Sequence, residues 1–249
     1  MSRIIMTKIA IIIPSRLSAQ RLPNKPLKLI NNKEMILHVY DLALKAKIGE
    51  VLVATPDEEI ADVIKSHGGK AVITNNNHKT GTDRIFEVFQ NELDKKSDII
   101  INLQGDMPNL DSSAIRDLAK HMKLNKCDIG TLASQIGDQK EIIDPDICKV
   151  VTEKDIKINR YSKALDFYRV SKKKNNFIYH HIGIYAFTKE ALMRYVSLDR
   201  TKLEVKRNLE QMRALENEMK INVGYINSYP LSVDTELDLI KIKKIMENK

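Results

Sequence analysis

Three clusters of side chains in this 249-residue sequence could do chemistry. The first is the segment Pro14-Ser15-Arg16-Leu17-Ser18-Ala19-Gln20-Arg21-Leu22-Pro23-Asn24-Lys25-Pro26, which follows an apolar run and gathers the cations Arg16, Arg21 and Lys25 with two serine hydroxyls. A turn of this kind can meet the charge of a polyphosphate, with backbone N–H groups completing the cradle. The competing reading is a solvated basic loop. The second cluster, Asn102-Leu103-Gln104-Gly105-Asp106, ends the most apolar stretch of the chain and offers Asp106 as an oxygen ligand for a hard cation. A second carboxylate is needed, and the best candidate is Asp234 in Ser232-Val233-Asp234-Thr235. Asp234 fits equally as the N-cap of the last helix, and spacing alone favours the cap. Magnesium accepts so few protein ligands when phosphate and water fill its shell. The third cluster, His78-Lys79-Thr80-Gly81-Thr82-Asp83-Arg84, combines hydroxyls, a glycine and the free N–H groups of a helix start, which suit a base or ribose. The alternative is an ordinary turn capped by Thr82.

The elements that must position these clusters alternate between strand and helix, the pattern of an α/β fold with a mainly parallel sheet. Strands are predicted at Lys8–Pro14, Glu50–Ala54, Lys70–Thr74 and Asp98–Leu103, and helices at Glu34–Lys47, Asp57–Lys65 (capped by Asp57), Thr82–Asp94, Ser112–Leu124, Leu203–Glu218 and Thr235–Met246. In open α/β sheets ligands bind outside the carboxyl ends of the strands, where the first two clusters fall. The stretch from about Ile129 to Phe187 reads differently, with short β-like runs (Lys149–Thr152, Lys157–Tyr161, Ile182–Phe187) broken by the polar Ser171–Asn176. The expectation is one domain over 1–249 with a β-rich, antiparallel insertion at about 129–187.

Composition narrows the partners. Lys and Arg number 41 against 33 Asp and Glu, a net charge of +8, so the chain meets anions. Tryptophan is absent and aromatics are only 5%, which disfavours stacking of single-stranded bases. Neither a G-x-G-x-x-G nor a G-x-x-x-x-G-K-[ST] motif is present, and the longest apolar run, Ile9–Ile13, is too short to span a membrane. The N-terminal residues lack a secretory apolar segment, so a cytoplasmic location is expected. Cys127 and Cys148 read as reduced structural thiols.

The order and spacing of these segments resemble the sugar-acid cytidylyltransferases, most closely the 3-deoxy-D-manno-octulosonate (Kdo) cytidylyltransferase family, over nearly the whole chain. The family's P-A-R-x-x-S-T-R-L-P-x-K-P corresponds to Pro14–Pro26, its Q-G-D-E-P to Gln104-Gly105-Asp106-Met107-Pro108, and its H-x-x-G-T-[DE]-R to His78–Arg84. Its H-x-G-I-Y corresponds to His181–Tyr185, its L-E-Q-L-R to Leu209–Arg213, and its V-D-T to Val233–Thr235. The resemblance implies a Rossmann-like fold of the nucleotide-sugar transferase type, used as a homodimer. It also implies the reaction of CTP with Kdo to give CMP-Kdo and pyrophosphate for lipopolysaccharide synthesis.

Carried over by residue, Arg16, Arg21 and Lys25 hold the triphosphate, while the Ser15 backbone and the turn of His78, Thr80, Gly81 and Thr82 surround the cytidine. Gln104 serves both nucleotide and sugar, Asp106 and Asp234 hold Mg²⁺, and Lys163, His181, Tyr185, Glu210 and Gln211 form the sugar-acid pocket. Arg16, Lys25 and the two aspartates are the implied catalytic set, and His181 is a candidate base by residue type alone. Taken singly, His181 and Tyr185 also fit as one strand face, and Glu210 with Arg213 as a simple helix pair. The departures are Met107 for the family's glutamate, Ala19-Gln20 for Ser-Thr, Lys163 for an arginine, and Arg207 for an acidic residue. Two alternatives are another 2-keto sugar acid (sialic-type or amino-Kdo) as acceptor, and a non-catalytic basic protein binding nucleic acid with steep salt dependence. The favoured reading has CTP and a 2-keto sugar acid as partners, with neither nucleic acid nor membrane.

Overall fold

The β-branched run near the start of the chain leaves no polar face, so it must be covered on both sides. In the computed structural model, which describes residues 7–18, 20–93, 95–138, 140–170 and 177–247, this run is β1 (Ile9–Pro14), buried along its length. Next come β2 (Leu29–Ile30), β3 (Lys33–Glu34), α1 (Met35–Ala46), β4 (Glu50–Thr55), α2 (Glu58–Ser66) and β5 (Ala71–Ile73). The chain continues through α3 (Gly81–Asn91), β6 (Ile99–Leu103) and α4 (Ser112–Leu124). It divides into two compact units, one of residues up to Ala119 together with those from Pro230, the other Lys120–Tyr229.

In the first unit β5, β4, β1 and β6 lie side by side, all parallel, with Ala10 opposite Glu50 and Ile9 opposite Ile99. The carboxyl ends of β1 and β6 therefore sit together, and the loops that follow them carry the first two clusters. β2 and β3 form a two-residue antiparallel ribbon. The helices bury the faces that their apolar spacing sets out, for α1 Met35, Ile36, Val39, Leu42, Ala43 and Ala46.

The second unit holds β7 (Ile129–Ser134), α5 (Lys140–Ile143), β8 (Lys149–Thr152), α6 (Ile156–Asn159), β9 (Tyr161–Tyr168), β10 (Ile178–Thr188), α7 (Lys189–Ser197), α8 (Lys202–Arg207), α9 (Gln211–Glu216) and β11 (Ile221–Tyr225). β10 pairs antiparallel with β7 and β8, β9 pairs antiparallel with β8 and β11, and β11 runs parallel to β7. The segment 129–187 that the sequence set apart lies within this unit. The last helix, α10 (Glu236–Glu247), returns to the first unit.

Two local expectations are corrected. Lys157–Tyr161 is not a strand: Asp155 accepts a hydrogen bond from Lys157 N–H at 2.8 Å and caps α6, Arg160 turns the chain at φ 60°, and only then does β9 begin. The single helix expected over Leu203–Glu218 is two, because Asn208 adopts the left-handed conformation (φ 52°) that ends α8. Asparagine tolerates that region better than most residues. The run Ser171–Asn176, including Lys172–Lys174, lies outside the described residues, as does Ala19.

Candidate functional site

The loop after β1 is shaped by its apolar and proline residues. Leu22 is buried with Ile30, Met35, Val233, Leu239 and Ile242, one cluster that joins the basic loop to the C-terminal segment. Asn24 takes a left-handed turn (φ 55°) into a short 3₁₀ turn at Lys25–Leu27. Val233 N–H donates to Asp106 O at 2.9 Å and Leu231 N–H to Asn109 Oδ1 at 3.0 Å, so the 231–234 segment is stitched alongside the loop after β6. These contacts bring together residues distant in sequence.

At their meeting point Lys25 Nζ lies 3.0 Å from Asp106 Oδ2 and 2.9 Å from Asp234 Oδ1, and Arg21 Nη2 lies 3.2 Å from Asp234 Oδ2. Burial by itself would lower the Lys25 pKa, but the two carboxylates outweigh it and leave it raised, so the ammonium stays charged. The open choice at Asp234 is settled by Thr235: its Oγ1 accepts from Asp238 N–H at 3.2 Å, and Asp238 Oδ2 accepts from Thr235 N–H at 3.0 Å. That reciprocal pair caps α10 and leaves the Asp234 carboxylate turned toward Lys25 and Arg21.

A cavity of about 280 Å³ opens beside this pair. Of the residues expected at the nucleotide, Ser15, Arg16, Lys25, His78, Thr80, Gly81 and Gln104 line it, as does Asp106. Arg21 is not in the lining and faces Asp234. Thr82 is buried behind it: Thr80, not Thr82, caps α3 in a reciprocal pair with Asp83, while Thr82 Oγ1 accepts from Asn102 Nδ2 at 3.3 Å. Asn102 Oδ1 in turn accepts from Gln104 Nε2 at 2.9 Å, so Thr82 supports Gln104 from within. A Cβ on Gly81 would lie 3.3 Å from Pro14 Cγ, a tight fit that favours glycine where α3 meets the loop. His78 is held by Glu87 through Nε2.

The sequence reading missed two features of this site, one in the cavity lining and one behind it. Arg84, the last residue of the third motif, is a buried guanidinium at the cavity wall, bonded to Thr74 Oγ1 and, at 3.1 Å, to Asn75 O. Its place in the motif was the available signal. Asp57, expected to cap α2, makes no side-chain cap bond and instead accepts from Leu17 N–H at 2.7 Å.

The second unit gathers most of the residues expected at the sugar acid. His181 and Tyr185 have ring centroids 5.5 Å apart, and Gln211 Nε2 lies 3.5 Å from Cys148 Sγ. Thr131 Oγ1 donates to Ile184 O at 2.7 Å and so accepts from His181 Nε2 at 2.9 Å, which places the ring proton on Nε2. Burial, then His180 and Arg169, push the His181 pKa down to about 3, so the ring is neutral and a weak base. Burial raises Tyr185 well above its ordinary value. Lys163 stands apart, exposed on β9 between buried Ser162 and Ala164. Glu210 stands just ahead of α9, where its backbone carbonyl accepts from the Tyr195 hydroxyl at 2.9 Å. Arg213 binds Glu204 at 2.7 and 2.8 Å, and both side chains are buried.

The departures from the family motifs have structural counterparts. Met107 is 3% exposed and packs inside. Arg207 pairs with Asp166 and donates to Phe167 O at 2.5 Å, tying α8 to β9. Cys127 and Cys148 are free thiols whose pKa values burial pushes up to about 11 and about 12. Among the described residues no helix is long and apolar enough to cross a membrane.

Comparison with known proteins gives the following. A family model described as cytidylyltransferase matches residues 10–221. The chain is 39% identical over 238 residues to a 3-deoxy-manno-octulosonate cytidylyltransferase of Bartonella henselae, covering 95% of this chain and 97% of that protein. It is 41% identical over 242 residues to the enzyme of the same name from Rhodopseudomonas palustris, covering 96% and 98%. Among solved structures, a CMP:2-keto-3-deoxy-manno-octonic acid synthetase complexed with CTP superposes with a TM-score of 0.87 at 33% identity, covering 97% of this chain and 99% of that one.

Proposed function

The chain belongs to the cytidylyltransferase family, and from that premise we infer that it activates Kdo with CTP, releasing CMP-Kdo and pyrophosphate. The observation that carries this reading at the level of chemistry is the convergence of Lys25, Asp106 and Asp234 beside a cavity lined by Arg16, Thr80, Gly81 and Gln104.

The anomeric 2-hydroxyl of the sugar acid attacks the α-phosphorus of CTP; the new O–P bond forms as the bond to the β-phosphate oxygen breaks, and the hydroxyl proton leaves to solvent. Such a reaction needs positioning and charge neutralisation rather than a side-chain nucleophile. Arg16 and Lys25 bind the triphosphate, with Arg21 held close through Asp234. The 78–81 turn surrounds the cytidine, and Gln104, fixed by Asn102, is oriented toward the ligands. His181, Tyr185, Glu210 and Gln211 recognise the sugar acid. His181, neutral and with its proton on Nε2, offers Nδ1 as an acceptor rather than acting as the base.

Magnesium fits the donor set. Two hard carboxylates from distant segments already share one positive charge, the Lys25 ammonium. Asp106 and Asp234 would hold the ion, which when bound neutralises charge on the transferring phosphoryl group and lowers the pKa of the attacking hydroxyl. We also propose a cytoplasmic homodimer that supplies lipopolysaccharide synthesis. Exposed Leu165 on β9 and Val205 on α8 are apolar side chains that a partner subunit would cover.

A pyrophosphate-release assay tests the reading: release is expected only with CTP, Mg²⁺ and Kdo together. Faster turnover of a sialic-type or amino-Kdo acid would move the assignment to that acceptor. No release with any sugar acid or nucleotide, together with salt-dependent RNA or DNA binding, would overturn it.

A further inference from the structure

The nucleotide loop is fastened to the end of β4 on both sides of Arg16. Ser15 N–H donates to Ala54 O at 2.9 Å and Leu17 N–H donates to Asp57 Oδ2 at 2.7 Å. The backbone of Arg16, whose guanidinium lines the cavity, is thereby clamped between two anchors. Asp57 stands at the N-cap of α2, where a carboxylate ordinarily bonds to its own helix, yet it makes no such bond. Its own N–H is engaged by Thr55 Oγ1 at 3.1 Å, which fixes the turn that aims the carboxylate at the loop. Electrostatics point the same way. Arg16 and Arg84 line the same cavity, and after burial Arg16 is the next cause that depresses Arg84, while Asp57 acts on Arg84 in the opposite sense.

We propose that Asp57 is a positioning residue for CTP: through Leu17 it holds Arg16 on the cavity before the triphosphate arrives. The proposal rests on reading the cavity as the CTP site. It assigns a binding consequence to a residue that does not line that cavity.

Calorimetric titration of CTP into the intact protein, without sugar acid, measures the effect. Asp57→Ala removes a charge-assisted hydrogen bond and is expected to weaken CTP binding about tenfold. Asp57→Asn, which keeps an oxygen for Leu17 N–H but no charge, falls between the two. In an Arg16→Ala background Asp57→Ala adds little, because its effect passes through Arg16. The KM for CTP rises while the KM for the sugar acid and the melting temperature stay put. CTP affinity within twofold of the parent for Asp57→Ala, or losses that simply add in the double variant, overturns the proposal. Amide exchange at Leu17 separates this from failure of the CTP reading. Faster exchange in Asp57→Asn or Asp57→Ala supports the anchor even for a protein that binds no CTP, and unchanged exchange refutes it.

Discussion

The first unit keeps its charged side chains at an open cavity, paired across long stretches of chain: Lys25 with Asp106 and Asp234, and Arg21 with Asp234. The second packs comparable groups inside, His181 against Thr131, Gln211 against Cys148, and Glu204 against Arg213 with both side chains at most 4% exposed. Charges at a wetted cavity can exchange one partner for another at modest cost, because water and ligand share their solvation. Buried groups cannot, since a lost partner leaves a charge or donor with nothing to replace it. The first arrangement therefore suits binding and release of a polyanion. The second suits a rigid frame that discriminates by shape and fixed hydrogen bonds.

The comparison breaks most visibly at Asp234. Asp234→Asn is expected to lower kcat about 1,000-fold, the scale on which a single electrostatic group counts at a transition state, with little change in melting temperature. Activity within tenfold of the parent would show that the carboxylates do not serve the reaction. The opposite response is expected in the second unit. Arg213→Met leaves the buried Glu204 carboxylate with only the half-exposed Arg200, 3.0 Å away, in place of its buried bidentate partner, and should cost about 3 kcal/mol of stability in urea unfolding. The Arg213 guanidinium also sits 4.6 Å over the Tyr195 ring, and that contact is lost with it. A loss below about 1 kcal/mol would place this pair with ordinary surface ion pairs.

A pH series sharpens the same contrast. His181 has a folded pKa of about 3 against an ordinary 6.5, so the unfolded chain binds the extra proton between those values. The stability linked to His181 is fully present above pH 6.5 and is lost as pH falls toward 3, at up to about 1.4 kcal/mol per pH unit. Urea midpoints at pH 7 and pH 5 should show the decline, and His181→Asn should flatten it; an equal decline in that variant refutes the assignment. The smallest effect is expected at Ser15, whose Oγ is buried with no hydrogen-bond partner among the described residues. Ser15→Ala removes that unmet donor and should leave stability unchanged or raise it by up to about 1 kcal/mol. A clear drop in melting temperature would show that the hydroxyl has a partner after all.

Much of this molecule was legible because its signals are local. Alternating apolar periods marked β1, β4, β6, α1 and α4 within a residue or two, since burial on two faces or on one stripe leaves a direct trace in the sequence. The misses came where a tertiary partner overruled a local preference. Asp57 occupies a cap position, but its carboxylate goes to Leu17; Thr82 looked like a cap, but Thr80 and Asp83 close that helix. Arg213 takes Glu204 in a shielded, bidentate contact that helical spacing does not mark.

By itself, then, the sequence determined the alternating α/β architecture of the first unit, the loops that carry cations and carboxylates, and the motifs that mark the family. Local spacing and residue type are enough for these. Only the tertiary structure decided that Asp234 joins Asp106 instead of capping α10, that Arg21 serves Asp234 rather than lining the cavity, and that Lys163 lies on the exposed side of β9. The first two outcomes depend on which segments the apolar cluster of Leu22, Ile30, Met35 and Val233 and the parallel register of β1 and β6 bring side by side, and the third on the pairing of β9 with β11. No window of the chain contains that juxtaposition, because it is created when burial closes the loops over one another.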